Sequence, residues 1–187
     1  MLSSILLSPP FPHFIQKEKI IFIRLYHIIN KWYNFLENIL EVSMRYQIGY
    51  AGRVLVVRFD DKEDILNGLK EISAKERIKN AVFYVIGGLR GGKVVVGPER
   101  DELPPVPIWN KVEESHEVIG IGTIFWQGDE PKIHLHCALG KRDVTMVGCL
   151  REISETFLIV ECILVEILGI DAKREHDNLS GLTLLKL

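Results

Sequence analysis

The sequence predicts an α+β domain built on a mostly antiparallel β-sheet flanked by helices. Three observations lead there. Apolar, β-branched runs recur from Arg53 to the C-terminus, and only one stretch of that region carries clear helical spacing. Short polar or glycine-bearing segments separate several of those runs at hairpin distance. The chain has 187 residues, 47% of them hydrophobic and 26% charged, which suits one ordinary domain with a sizeable core.

Residues 1–43 differ in character from the rest. They are rich in Ile, Leu, Asn, Lys and aromatics, with three prolines between Pro9 and Pro12. They lack the basic start and small-residue cleavage site of a secretory signal. The apolar run Ile20–Ile29 is broken by Arg24 and His27 and falls short of the roughly 20 residues a membrane span needs. Two expectations follow. One is a weakly amphipathic helix from about Ile20 to Leu40, lying on a membrane surface or a partner. The other takes Met44 as the true start, because Glu41-Val42 can be encoded by a ribosome-binding-like stretch, and makes residues 1–43 translated leader.

From Met44 the elements follow in order. Arg53–Phe59 (RVLVVRF) is β-branched and predicts a strand. Asp60-Asp61 offers an N-cap, with Glu63 and Asp64 in the first turn, where the helix dipole favours acids. Ile65, Leu66, Leu69 and Ile72 recur at helical spacing, and Lys70, Glu71, Lys75 and Glu76 cover the outer face, so a helix is predicted over 62–77. Ala81–Ile86 is a second strand ending at Gly87-Gly88, and Lys93–Val96 is a third. Between them GLRGGK, Gly88–Lys93, predicts a β-turn; it lacks the spacing and ending of a phosphate-cradling loop.

Pro98–Pro107 is punctuated by proline and predicts a loop. Glu117–Trp126, Lys132–Leu139 and Val144–Val147 are apolar segments. Gly128-Asp129 makes a hairpin-type turn between the first two, and Gly140–Asp143 turns between the next two. Phe157–Leu168 is almost wholly apolar, as a central strand or a buried helix would be. The polar stretch Asp171–Gly181 predicts a loop before a last short strand, Leu182–Leu187.

Candidate chemistry centres on KIHLHCALG, Lys132–Gly140. In a strand, residues i and i+2 share a face, which sets His134 and His136 about 6–7 Å apart at the backbone, suited to converging on one ion. Leu135 and Cys137 then face the other way. The three cysteines, Cys137, Cys149 and Cys162, show neither a CxxC nor a disulfide framework, which points to a reducing, cytoplasmic setting. Cys162 lies in an apolar run and predicts core. His116, just before a strand, either completes a metal shell or is an exposed loop residue. Asp129 and Glu130 would serve as acid or base only if folding brought them to a metal; otherwise they are solvated turn residues.

The order of these motifs resembles the PPC (plants and prokaryotes conserved) domain family. The resemblance is carried by EDILNGLKEISAKERIKNAVFYVIGGLRGG, by EVIGIGTIFWQGDEPKIHLHCALG and by VGCL, and it covers about Val54 to Leu168. Val85–Leu89 is similar to the family's first glycine turn and Glu117–Thr123 to its E-I-x-S-L-x-G strand. Gly128–Pro131 is an imperfect D-G-x-P turn, and His134-Leu135-His136 matches H-x-H. The resemblance implies an antiparallel sheet flanked by helices, a homotrimer, and a metal held by the H-x-H pair with the His of a G-G-H-L motif. Here Val147-Gly148-Cys149-Leu150 stands in place of Gly-Gly-His-Leu, so the implied metal set is His134, His136 and Cys149. Two histidines and a thiolate are a recognised zinc set, and the sulfur softens the site towards zinc.

Three functional readings follow. The first is an oligomeric metal-binding PPC module. The second is a DNA-associated regulatory protein, by analogy with the AT-hook relatives of the family. A net charge of −2, a pI near 6.3 and the absence of an RGRP core give that reading no electrostatic footprint. The third is a zinc-dependent hydrolase or lyase, whose sign would be an accessible cleft above His134 and His136 holding a carboxylate or Arg for a substrate.

Overall fold

The computed structural model describes residues 44–187, together with Ile29 and Lys31. The expectations for residues 1–43 lie outside the described residues. From residue 44 the elements are β1 (Tyr50–Asp60), α1 (Ile65–Glu76), β2 (Asn80–Pro98), β3 (Pro107–Val112), β4 (His116–Gln127), β5 (Glu130–Lys141), β6 (Val144–Leu168), β7 (Lys173–His176) and β8 (Thr183–Lys186). The α+β expectation holds, with α1 as the one helix from residue 44 onward.

Six strands form one antiparallel sheet in the order β1-β6-β5-β4-β2-β3. β6 also pairs with β2, so β2, β4, β5 and β6 make a cycle of hydrogen-bonded neighbours. Their inward side chains, among them Phe83, Val85, Leu135, Leu139, Leu150 and Leu164, pack with Ile65 and Leu69 of α1 into one core. β7 and β8 form a separate hairpin near the C-terminus.

Two hairpins place β5 as predicted. Gln127 pairs with Glu130 across a two-residue loop that starts at Gly128, whose φ of 57° suits the first position of such turns. Lys141 pairs with Val144 across Arg142-Asp143.

The helix starts later than the sequence pattern suggested. Asp64, not Asp60 or Asp61, is the N-cap, and its carboxylate accepts from Asn67 N at 2.8 Å. β1 runs on to Asp60, whose N–H is taken by the Glu63 carboxylate at 2.8 Å, so those acids end a strand rather than begin a helix. Asp64 also accepts from the backbone and hydroxyl of Ser154, each at 3.0 Å, which ties the helix N-terminus to β6.

The predicted turn at Gly88–Lys93 is absent: β2 continues through it from Asn80 to Pro98. The glycines there serve close strand contact. A Cβ on Gly87 would lie 2.3 Å from Ile159 O, and one on Gly88 2.5 Å from Phe157 O. Register shifts against β6 at Gly87/Gly88, Leu89/Gly91 and Gly92/Lys93 show that the stretch is bulged. In the same way Val144–Val147 and Phe157–Leu168 prove to be two ends of the single strand β6, irregular at Glu152 (φ 58°) and Leu158 (φ 61°). β3 lies beyond the predicted proline loop, and β7 lies within the stretch expected to be loop.

Candidate metal centre

The alternation of β5 decides which side chains can meet. Leu135 (0% exposed) and Cys137 (3%) point into the core, while His136 lies on the open face and His134 is half-buried beside it. Burial pushes the Cys137 thiol up to about 11, with the neighbouring Cys149 adding to the rise, so Cys137 is a small hydrophobe here. Cys162 is likewise core, its thiol pushed by burial to about 12.

Cys149 stands directly opposite His136 in the β5–β6 ladder. Opposed residues of an antiparallel pair share a face, so the sulfur is delivered to the histidines. Close approach of β2 to β6 fixes this segment: a Cβ on Gly148 would lie 2.5 Å from both Val94 Cγ1 and Val95 O.

One potential ligand atom from each of His134, His136 and Cys149 lies within 4.8 Å of the other two. The two Nε2 atoms are 3.1 Å apart, and the rings meet at 79° with centroids 4.9 Å apart. Two imidazole nitrogens on one tetrahedral zinc, each about 2.0–2.1 Å from the ion, lie about 3.3 Å from one another. The spacing of the histidines fits that chemistry.

Burial, helped by the charges of Arg174, His136 and Arg151, lowers His134 to about 4, so its ring is neutral at neutral pH and can lend a lone pair. Burial also raises the Cys149 thiol, opposed by the charge and hydrogen bond of Arg151. Cys149 would therefore ligate as a thiolate only by giving up its proton.

Two arginines frame the cluster. Arg151 is two residues along β6 from Cys149 and shares its face. Arg174, on β7, donates to Thr123 Oγ1 at 3.3 Å and to His134 Nδ1 at 3.2 Å, and its guanidinium lies 5.8 Å from the centre of the Phe125 ring. A guanidinium has no acceptor, so Nδ1 must accept and a neutral His134 carries its proton on Nε2. A His134 ring that ligates through Nε2 carries the proton on Nδ1 instead, and that N–H no longer suits Arg174.

Other candidates are not brought in. His116 starts β4, seven residues and roughly 23 Å along the strand from Thr123, the partner of His134. Its Nδ1 is 2.6 Å from Glu114 O. Asp129 stays in the hairpin turn, and Glu130 is ion-paired to Lys132 at 2.8 Å. Sequence reasoning missed both arginines. Arg151 had a signal, the i+2 step from Cys149. Arg174 had none, because it arrives from β7, which follows β4 only after two further strands.

Beyond the cluster, β2, β4 and β6 present Tyr84, Ile86, Ile119, Ile121 and Val147 on the open face, with Ile119 and Val147 each 63% exposed.

The sequence profile of the Plants and Prokaryotes Conserved (PCC) domain matches residues 46–168. This chain belongs to that family. It is the PPC family by its other abbreviation. A PPC protein from Pyrococcus horikoshii is 26% identical, with a TM-score of 0.67 over 77% of this chain and 98% of its own. A protein from Archaeoglobus fulgidus described as metal-containing is 21% identical, with a TM-score of 0.68 over 77% of this chain and all of its own (100%). A candidate DNA-binding protein from Bacteroides thetaiotaomicron is 18% identical, with a TM-score of 0.59 over 75% and 98%. At those last two identities the likeness shows the PPC fold. No curated protein sequence matches the chain. Among the described residues, no helix is long and apolar enough to cross a membrane.

Proposed function

We propose that residues 44–187 form a metal-binding PPC module that assembles as a homotrimer in a reducing compartment, with His134, His136 and Cys149 holding a zinc ion. The observation that carries the metal reading is the convergence of three donor atoms within 4.8 Å on one sheet face. The nature of the donors supports zinc, since two imidazoles with one thiolate are softer than three imidazoles. Three protein donors also match zinc sites that leave a position for water, and zinc there supplies a Lewis acid or an activated water. The description of the Archaeoglobus relative as metal-containing agrees with this reading.

The trimer is supported by the family resemblance and by the apolar half of the open face. Exposed patches of this kind mark interfaces, and five large apolar side chains lie there beside the candidate site. Three free, buried cysteines suit a reducing compartment. A DNA-binding role draws support from the analogy with AT-hook relatives and from how two relatives of 18% identity are described, and a net charge of −2 does not favour it.

Elemental analysis tests the metal. Protein purified without chelator is expected to carry one zinc per chain, and His134→Ala and Cys149→Ala are each expected to lose it. A metal-free wild type ends the proposal. Sedimentation tests the assembly, and a monomer contradicts it.

A further inference from the structure

Arg151 and Arg174 come from different elements yet line one recess of about 520 Å3, together with Gln127, Lys132, His134 and Thr183. A recess of that size is within the usual range for small-molecule sites, about 300–1,000 Å3. Among the described residues no carboxylate pairs with either arginine, whereas Arg90, partly buried like Arg174, holds both Asp61 and Glu155. Lys132 at the same recess is already matched by Glu130. Arg174 is half-buried, and its two side-chain hydrogen bonds go to neutral groups, leaving most of its five donors for another partner.

We propose that Arg151 and Arg174 bind the carboxylate or phosphate group of a small molecule seated beside His134. Two guanidiniums facing one recess without an anion repel each other, and the half-buried one lacks the pairing that partly buried charge normally finds. Planar forked donors match oxyanions of either kind, with two parallel N–H···O bonds from one guanidinium. His134 lines the recess itself, and Cys149 lies two residues along β6 from Arg151, so an anion held by the arginines lies close to the candidate metal ligands.

The inference rests on the metal reading only for what the anion lies beside; the recess itself is a property of the arginines. The two are nonetheless linked. A His134 that ligates through Nε2 turns Nδ1 into a donor, which removes an acceptor from Arg174 and frees that guanidinium for the recess. Metal and anion should then each strengthen the other's binding by the same factor.

Calorimetric titration of the full chain with inorganic phosphate and, separately, with succinate tests this, in zinc-loaded and chelator-treated protein. Saturable binding of one probe per chain is expected, weakened about tenfold or more in Arg151→Gln and in Arg174→Gln. Phosphate alone binding assigns phosphoryl ligands, and succinate alone assigns carboxylates. Arg151 is exposed on its strand, so its variant carries the test should Arg174→Gln unfold. Failure of both probes to saturate in either form overturns the proposal, as does unchanged affinity in the folded variants. Binding to protein that takes up no zinc sustains the anion site while ending the metal reading; zinc uptake without anion binding does the reverse.

Discussion

The two faces of β5 carry the same backbone and opposite tasks. Inward, Leu135, Cys137 and Leu139 are sealed against α1 and the neighbouring strands. Outward, His134 and His136 meet Cys149 from β6 and Arg174 from β7. The inward face is held by packing. The outward face spends no core volume on its residues, so its side chains can be chosen for chemistry. A strand with period two thus separates stability from function residue by residue.

That separation can be broken or sharpened by substitution. Leu135→Ala should cost about 2–5 kcal/mol, since it removes a fully buried side chain and leaves a cavity; denaturant unfolding measures it. Ile121→Glu, on the open face in the row that links Tyr84 to His136, should leave the subunit folded but break the assembly, seen as monomers on sedimentation. His136→Ala should change metal-free stability by less than about 0.5 kcal/mol, as exposed substitutions do, while abolishing zinc uptake. A comparable loss of stability for Leu135→Ala and His136→Ala would erase the distinction between the faces.

A smaller effect concerns pH. His134 falls from an ordinary value of 6.5 to about 4 in the folded chain, chiefly by burial. The unfolded chain therefore binds this proton first. Stability from this group is full above about 6.5 and declines as pH falls towards about 4. Glu166, held low mainly by its hydrogen bond to Arg53, contributes in the same direction at more acidic pH. Thermal melts of metal-free protein at pH 7 and pH 5 check the sign. The fall in Tm should be smaller in His134→Gln than in the wild type, and an equal fall contradicts the assignment.

Much of the sheet was legible in local pattern, because strands announce themselves through β-branched runs and hairpins through turns such as Gly128-Asp129. Continuity was not. Gly87-Gly88 reads as a stop in sequence, yet it marks where β2 and β6 come too close for a Cβ. Val144–Val147 and Phe157–Leu168 read as separate segments, yet one strand passes through both, irregular at Glu152 and Leu158. The N-cap was misplaced for a related reason: four acids in five residues offered several caps, and only tertiary bonds from Ser154 single out Asp64. For the site, period two sufficed to pair His134 with His136 and to set aside Cys137. Cys149 came from the family resemblance, and the β5–β6 register then placed it opposite His136. Arg174 was beyond reach, since no local signal says that a short C-terminal hairpin will lie over β4.

The most direct test of the account is anomalous scattering at the zinc edge from crystals grown with zinc. A single strong peak within bonding distance of His134 Nε2, His136 Nε2 and Cys149 Sγ is the predicted result. A zinc-loaded crystal with no peak among these three residues, or one that avoids Cys149, would contradict it.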